Sequence, residues 1–483
     1  MKTKNLLLGL ALTSPIAAKA VKSAPVEKKP NVVIFFIDDM GYSDISCYGQ
    51  KKWKTPNIDQ LAENGIRFTD AYSASPICSP SRAGLLTGRY PARMGIQQVF
   101  FPDNYTGIPQ KELLIPELLK TAGYTTGIIG KWHLGSREKF LPLQNGFDEY
   151  FGIPYSNDMS SQVYLRGNDV VQFHIDQSHM TKKYTEEAIS FIDRHKDQPF
   201  FLELAHNMMH VPIFCSPEFR GKSGAGLYGD AVLEVDWSIG QVMAELKKQG
   251  LLDNTLVIFS SDNGPWLQEG PLGGEAKPLR EGKTTSYEGG VRVPLIAYWK
   301  GKIKPRTDHE VVRNLDWFPT LADICGVAVP DSIRLDGYDI SGVLLRGEKS
   351  PSNVYAYFRN NKDVTSLRVG DWKITLPQDK IVGNFWRAST AAHDTLLFNL
   401  KEDQSETTDL FHKYPEKAKE MTKAIETYKA NFGPIPPALV VWGNDQRREL
   451  QQQRHKAIEE AKKRGIKSKK DEVDGFIEGR DAL

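Results

Sequence analysis

The chain has 483 residues, of which 40% are hydrophobic, 25% charged and 10% aromatic, with a formal net charge of +2. That is the composition of a soluble globular protein with room for one large domain and a smaller one. A charge so close to zero excludes nucleic acid as a partner held by bulk electrostatics.

The chain opens MKTKNLLLGLALTSPIAAKA, with a basic end, a short apolar stretch from Leu6 to Ala18, and Ala18-Lys19-Ala20 as a small-residue cleavage site. Residues 1–20 read as a secretory signal peptide, too short for a membrane span. Its removal takes away Lys2, Lys4 and Lys19 and leaves a net charge of −1. The first cysteine, Cys47, is too far on for a lipid-attached amino terminus. The expected product is exported, periplasmic or secreted, without a stable membrane anchor.

The next element is NVVIFFIDD (31–39), an apolar β-branched run ending in Asp38-Asp39. Residues 76–91, PICSPSRAGLLTGRYP, then read as a helix: Ser79 can cap it, Pro80 suits its first position and Gly88 can end it. This places Cys78 beside free backbone N–H groups at the positive end of a helix dipole, where an anion is favoured. LLIPELLKTAGY (113–124) is a helix ending at Gly123, and TTGIIGKWH (125–133) is a strand ending in Lys131 and His133. The amphipathic TEEAISFIDRHK (185–196) precedes PFFLELAHNMMH (199–210), a strand ending in His206 and His210. Between Gly229 and Gly250, apolar residues recur at helical spacing, and TLVIFSSDNG (255–264) ends in Asp262-Asn263-Gly264.

Continuous apolar strands of this kind suit a parallel sheet covered by helices on both faces, in which ligands bind outside the carboxyl ends of the strands. Four strands thus deliver carboxylates, an amide, lysines and histidines to one edge. Each piece alone has an ordinary explanation as a turn or a satisfied polar contact; their joint position at strand ends reads as an active site.

From about residue 340 the pattern changes. NVYAYF, TSLRVG and DWKITL are short strands, followed by LLFNLKEDQSETTDL and an amphipathic helix near Glu416–Phe432. Trp372, Phe385 and Trp386 are candidates for a sugar platform, with Trp372 better placed in the core. The expected organisation is a signal peptide (1–20), a catalytic α/β domain (21–340), a smaller α+β subdomain (341–440) and a charged, partly helical, solvated extension (441–483). Cys47, Cys78, Cys215 and Cys325 fit no zinc spacing, and two disulfides remain open to them.

Asp38, Asp39, Asp262 and Asn263 offer only oxygen ligands, which select Ca²⁺ or Mg²⁺. Arg82, Lys131, His210 and Lys283 can hold a tetrahedral anion, so the set reads as sulfuryl or phosphoryl transfer.

The stretch CSPSRAGLLTGR resembles the signature of the type I sulfatases, C-x-P-S-R followed by x-x-x-L-T-G. NVVIFFIDDMGYSD, GYTTGIIGKWHLG, FFLELAHNMMHVPI, VIFSSDNGP and GKTTSYEGGVRVPLIAYW also resemble blocks of that family, in order, closest in flavour to arylsulfatases and N-acetylgalactosamine sulfatases. The resemblance implies an alkaline-phosphatase-like fold: a large mixed, mostly parallel sheet sandwiched by helices, plus a smaller antiparallel sheet with a packed helix. It implies that a maturase oxidises Cys78 to formylglycine, whose hydrate attacks sulfur and later expels sulfate as the aldehyde reforms.

The resemblance also implies roles residue by residue. Asp38, Asp39, Asp262, Asn263 and an oxygen of the converted Cys78 would hold one calcium ion. Arg82 would stabilise the ionised diol, while Lys131 and Lys283 would bind diol or sulfate oxygens. His210 would protonate the leaving alcohol, and His133, oriented by Ser156, would take the diol proton; His206 would have no part. The substrate would be a sulfated saccharide, with its sulfated position and the oligomeric state left open. Two alternatives stand beside this: a formylglycine-dependent phosphonate or phosphodiester hydrolase of the same superfamily, and a degenerate sulfated-glycan-binding protein. Asp262-Asn263 in place of Asp-His, and the cysteine signature, weigh against a two-metal phosphatase.

Overall fold

The structure is a computed structural model that describes residues 28–159, 162–383 and 389–440, and Lys463. The signal peptide, Phe385 and Trp386, and the extension apart from Lys463 lie outside the described residues.

The apolar runs form the middle of a ten-stranded sheet. Its order is Arg306–Asp308, Ile66–Phe68, Leu295–Tyr298, Thr255–Ser261, Asn31–Ile37, Phe200–His206, Thr125–Lys131, Glu149–Ile153, Val163–Arg166 and Asp169–Phe173. The five strands from Thr255–Ser261 to Glu149–Ile153 are mutually parallel, and antiparallel pairs flank them.

Alternation along the strands divides the core. Val33, Phe35 and Ile37 pack with Leu202, Leu204, Val257 and Phe259 against helices Pro56–Glu63, Met180–His195 and Leu227–Lys248. Val32, Ile34 and Phe36 pack on the other face, where Leu85, Leu86, Leu118, Leu119, Phe318 and Leu321 come from helices Cys78–Thr87, Ile115–Lys120 and Trp317–Ile324. Period-two burial on both faces is why these strands read as unbroken hydrophobic runs.

A separate four-stranded antiparallel sheet runs Val354–Arg359, Asp363–Val369, Trp372–Thr375, Leu396–Asn399, and helix Pro415–Phe432 lies on it. Its core includes Tyr72 and Tyr90 of the main body, and the Tyr72 and Tyr355 rings stack 4.3 Å apart. Trp372 is half-buried, edge-on to Tyr414 at 5.5 Å. All four cysteines are free, so no disulfide joins Cys47, Cys78, Cys215 or Cys325.

The helix that opens with Cys78 starts earlier than its sequence suggests. Cys78 is its first residue, Ile77 takes the cap position, and Ser79 and Pro80 lie inside the first turn. Proline is tolerated there because its missing N–H would have no intrahelical partner. The Ser79 hydroxyl accepts instead from the Phe100 N–H at 3.1 Å. Gly88 ends the helix in the left-handed conformation, φ 65°.

Candidate active site

The carboxyl ends of the central strands converge. The backbone N–H of Asp262 donates to the Ile37 carbonyl at 2.9 Å, and that of Asp38 donates to the His206 carbonyl at 3.2 Å. This ladder extends past the last strand residues and brings Asp38, Asp39 and Asp262 together, with carboxylate oxygens within 4.8 Å of one another. Asp39 turns out of the strand at φ 54°, its N–H donating to Asp262 Oδ1 at 3.1 Å. The Asn263 amide N–H donates to Asp39 Oδ1 at 2.7 Å.

Cations answer these acids. Lys131 Nζ donates to Asp38 Oδ2 at 2.5 Å and to Ser156 Oγ at 3.1 Å. Arg82 Nη2 lies 2.9 Å from Asp262 Oδ2 and 3.5 Å from Asp38 Oδ1, while its Nη1 donates to the Lys131 carbonyl at 3.2 Å. Lys283 Nζ donates to Asp39 Oδ2 at 2.6 Å and sits 4.5 Å from the Trp266 ring centre. His210 Nε2 is 3.7 Å from the same Asp39 oxygen, its Nδ1 pairs with the Val211 carbonyl at 2.6 Å, and its ring lies 5.4 Å from Trp266. Cys78 Sγ stands 3.9 Å from Asp39 Oδ1, and Asp38, Cys78 and His210 also bring potential ligand atoms within 4.8 Å. Every one of these side chains is buried.

The electrostatics follow from burial and these neighbours. Burial pushes the Asp38 carboxyl up, but Lys131, His210, Arg82 and Lys283 together hold it well below the usual range. Burial, then the charge of Asp38, raises Asp262, against Arg82. Burial raises the Cys78 thiol well above its ordinary value although Lys131 and Lys283 pull it down. Burial, then Lys131 and Arg82, holds His133 well below the usual imidazole range.

One expectation needs correction. Ser156 does not orient His133: its hydroxyl accepts from Lys131, and His133 Nε2 pairs with the Phe100 carbonyl at 3.0 Å. Phe100 contributes a backbone oxygen, which no side-chain pattern marks. Trp266 was also missed, although it lies two residues beyond Asp262-Asn263-Gly264. His206, expected to stand apart, pairs with Ser238 Oγ at 3.0 Å in the core, and burial drives it down to about 3.

The donor set suits a hard cation. Asn263 Oδ1 is buried without a hydrogen-bond partner, and Asp38 Oδ1 has no hydrogen bond but only the Arg82 ion pair at 3.5 Å, beside the carboxylates of Asp39 and Asp262. Buried oxygens left unpaired are costly unless something electropositive meets them.

The profile of the Sulfatase family matches residues 30–327, and that of the N-sulphoglucosamine sulphohydrolase C-terminal region matches residues 282–431. Arylsulfatase A of Homo sapiens is 36% identical over 451 residues, covering 84% of this chain and 86% of its own. N-acetylgalactosamine-6-sulfatase of Mus musculus is 34% identical over 478 residues, covering 88% and 91%. Among solved structures, the PsFucS1 sulfatase from Pseudoalteromonas sp. superposes with a TM-score of 0.77 at 31% identity, over 85% of this chain and 91% of that one. With this sheet, this cysteine and these likenesses, the chain belongs to the sulfatase family, enzymes of sulfate-ester hydrolysis with an alkaline-phosphatase-like fold.

Proposed function

We propose that the protein hydrolyses sulfate esters of carbohydrates, using formylglycine made from Cys78 and one calcium ion. One observation carries this reading: Cys78 is buried among the site's acids and cations, its Sγ 3.9 Å from Asp39 Oδ1 and within 4.8 Å of ligand atoms of Asp38 and His210, where burial pushes its thiol up. A protonated thiol is a poor nucleophile; the hydrated aldehyde made from it supplies a hydroxyl nucleophile toward sulfur. Calcium, held by Asp38, Asp39, Asp262, Asn263 and an oxygen of the converted residue, would supply positive charge to a sulfate oxygen and to the ionising nucleophile.

The chain's own residues do the rest. Arg82, pinned by Asp262 and Asp38, faces the charge that develops on the nucleophile. Lys131 and Lys283 hold sulfate oxygens. His210 gives its Nδ1–H to the Val211 carbonyl, and in the doubly protonated ring Nε2, 3.7 Å from Asp39 Oδ2, carries the second proton that passes to the departing alcohol. His133 donates Nε2–H to the Phe100 carbonyl, so its buried Nδ1 keeps the lone pair that takes the proton when sulfate is expelled.

Conversion of Cys78 belongs before folding is complete. Ser79, Pro80, Ser81 and Arg82 are all buried with it, out of reach of a maturase that reads this stretch. The leader-like residues 1–20 support a periplasmic or secreted enzyme. No helix among the described residues is long and apolar enough to cross a membrane. The name of the mouse relative and the exported leader favour a sugar as the esterified alcohol.

Mass spectrometry of the tryptic peptide FTDAYSASPICSPSR from an active preparation is the test. The expected result is an aldehyde in place of the thiol, sulfate release lost in Cys78→Ala, and sulfated saccharides cleaved faster than matched phosphate esters. An unmodified thiol in every copy of an active preparation overturns the mechanism. Faster turnover of the phosphate esters overturns the substrate class.

A further inference from the structure

Lys283 is carried by an irregular segment with strained backbone on both sides of it. Its flanking residues Glu281 and Thr284 have φ of 57° and 75°. A β-branched residue such as Thr284 rarely adopts the left-handed region, and it persists there only where the surroundings force it. Within the segment the Thr285 N–H and hydroxyl donate to the Gly282 carbonyl at 3.2 and 2.8 Å and the Gly289 N–H to the Arg280 carbonyl at 2.8 Å, while the main body accepts the Lys283 N–H on the Pro265 carbonyl and the Thr284 N–H on the Pro76 carbonyl, both at 2.9 Å.

Further restraints come from the small sheet and the loop after it. Lys373, in strand Trp372–Thr375, is wholly buried, and its Nζ donates to the Ser286 carbonyl at 3.0 Å. The same ammonium pairs with Glu288 Oε1 at 3.3 Å and Glu406 Oε1 at 2.7 Å. Glu406 Oε2 accepts the Glu288 backbone N–H at 2.7 Å, and the Glu406 carbonyl accepts from Arg280 Nη1 at 2.9 Å. Ser405 Oγ donates to the Pro278 carbonyl at 2.6 Å. The segment is therefore gripped at 278, 280, 286 and 288, on both sides of Lys283. Glu288 is further held from the main body by Tyr72, whose hydroxyl donates to Oε2 at 2.7 Å.

We infer that Lys373 and Glu406 are positioning residues for Lys283: through residues 280–288 they fix its ammonium against Asp39 and so set the place of the sulfate. Neither touches the reacting atoms. The small sheet is on this account part of the catalytic apparatus, acting through the backbone of one segment. The inference rests on the proposed function for what Lys283 does, and on the contacts alone for what holds it.

Two measurements test it. Hydrogen exchange of residues 280–288 reads the grip whatever the reaction is. Glu406→Ala is expected to raise exchange there, and Glu406→Gln, which keeps an acceptor for the Glu288 N–H, is expected to restore protection. Unchanged exchange in Glu406→Ala overturns the inference. The second measurement is a double-mutant cycle on sulfate release per mole of folded protein. Glu406→Ala is expected to lower kcat about 100-fold, the scale of a misplaced catalytic group, with Glu406→Gln near wild type. In a Lys283→Ala background the same change is expected to cost less than about 3-fold, because the two act on one interaction. Equal losses in both backgrounds mean a merely structural role and overturn the inference. If the wild type releases no sulfate, the proposed function fails and the exchange measurement alone decides whether the grip stands.

Discussion

Glu203 shows how a single buried acid sets a pH response that the reaction itself does not need. It lies in strand Phe200–His206, 2% exposed, with Oε2 unpaired. Burial pushes its carboxyl up from 4.5 to about 7, against the pull of Arg82. The folded-state value is raised, so the folded protein holds a proton between 4.5 and about 7 that the unfolded chain has released. Stability then falls as pH rises through that window, by about 3 kcal/mol in all, and is flat above it. Glu203→Gln is expected to melt higher than wild type at pH 8 and nearly equal to it at pH 5. Identical pH dependence of melting in the two proteins would contradict this. At the residue scale, Asp38, Asp39, Lys131 and Asp262 were legible because each ends or follows an apolar strand, whereas Lys283 lies in an irregular segment with no such mark. The pairing of Ser156 with Lys131 in place of His133, and the Phe100 carbonyl that His133 meets, were not legible, because a backbone oxygen and a serine in an irregular segment carry no pattern of their own.

Helix Cys78–Thr87 carries both Cys78 and Arg82, so its seating decides the site. A Cβ at Gly84 would meet Ala74 Cβ at 2.4 Å and Leu315 Cδ2 at 3.2 Å. Gly84→Ala must displace the helix, and overpacking of this kind costs about 1–3 kcal/mol. A Cβ at Gly88 would meet Phe318 Cβ at 2.8 Å, in a residue already at φ 65°. Gly88→Ala strains only the exit of the helix. Both variants are expected to melt lower, but kcat is expected to fall more than about tenfold only in Gly84→Ala, with KM less affected. Equal kcat losses in the two would mean that activity follows stability rather than the position of Cys78. Among elements, the buried strands were the most legible, since two-faced burial writes an unbroken apolar run. The start of this helix was read two residues late because Ser and Pro are common at caps; here the turn is closed by Ile77 and buried by its neighbours. The grip of Lys373 on Ser286 and Glu288 was illegible, because its partners lie 87 and 85 residues away in sequence.

The active-site charges come from nearly the whole length of the main body, from Asp38 to Lys283, and they balance. Asp38, Asp39 and Asp262 face Arg82, Lys131 and Lys283 in one buried cluster, so the formal sum of these six side chains is zero. A buried neutral cluster resists either an added cation or an added anion alone, because each arrives with an uncompensated charge in a poorly solvating place. It accepts them together. Calcium and sulfate are therefore expected to bind with positive coupling, each tightening the other by the same factor. The measurement is melting temperature against inorganic sulfate, in calcium and in chelator. With calcium present, saturating sulfate at about 100 times its Kd stabilises the fold by about 2.7 kcal/mol. In chelator the same sulfate concentration is expected to do much less, and hydrolysis is expected to stop and return when calcium is restored. Asp262→Asn removes one negative charge from the cluster. It is therefore expected to weaken calcium binding and, through Arg82 left without its closest carboxylate, to strengthen sulfate binding in chelator relative to wild type. Sulfate stabilisation that is the same with and without calcium would mean that the cations of the site bind the anion unaided, and that the balance of charges across the fold has no part in it.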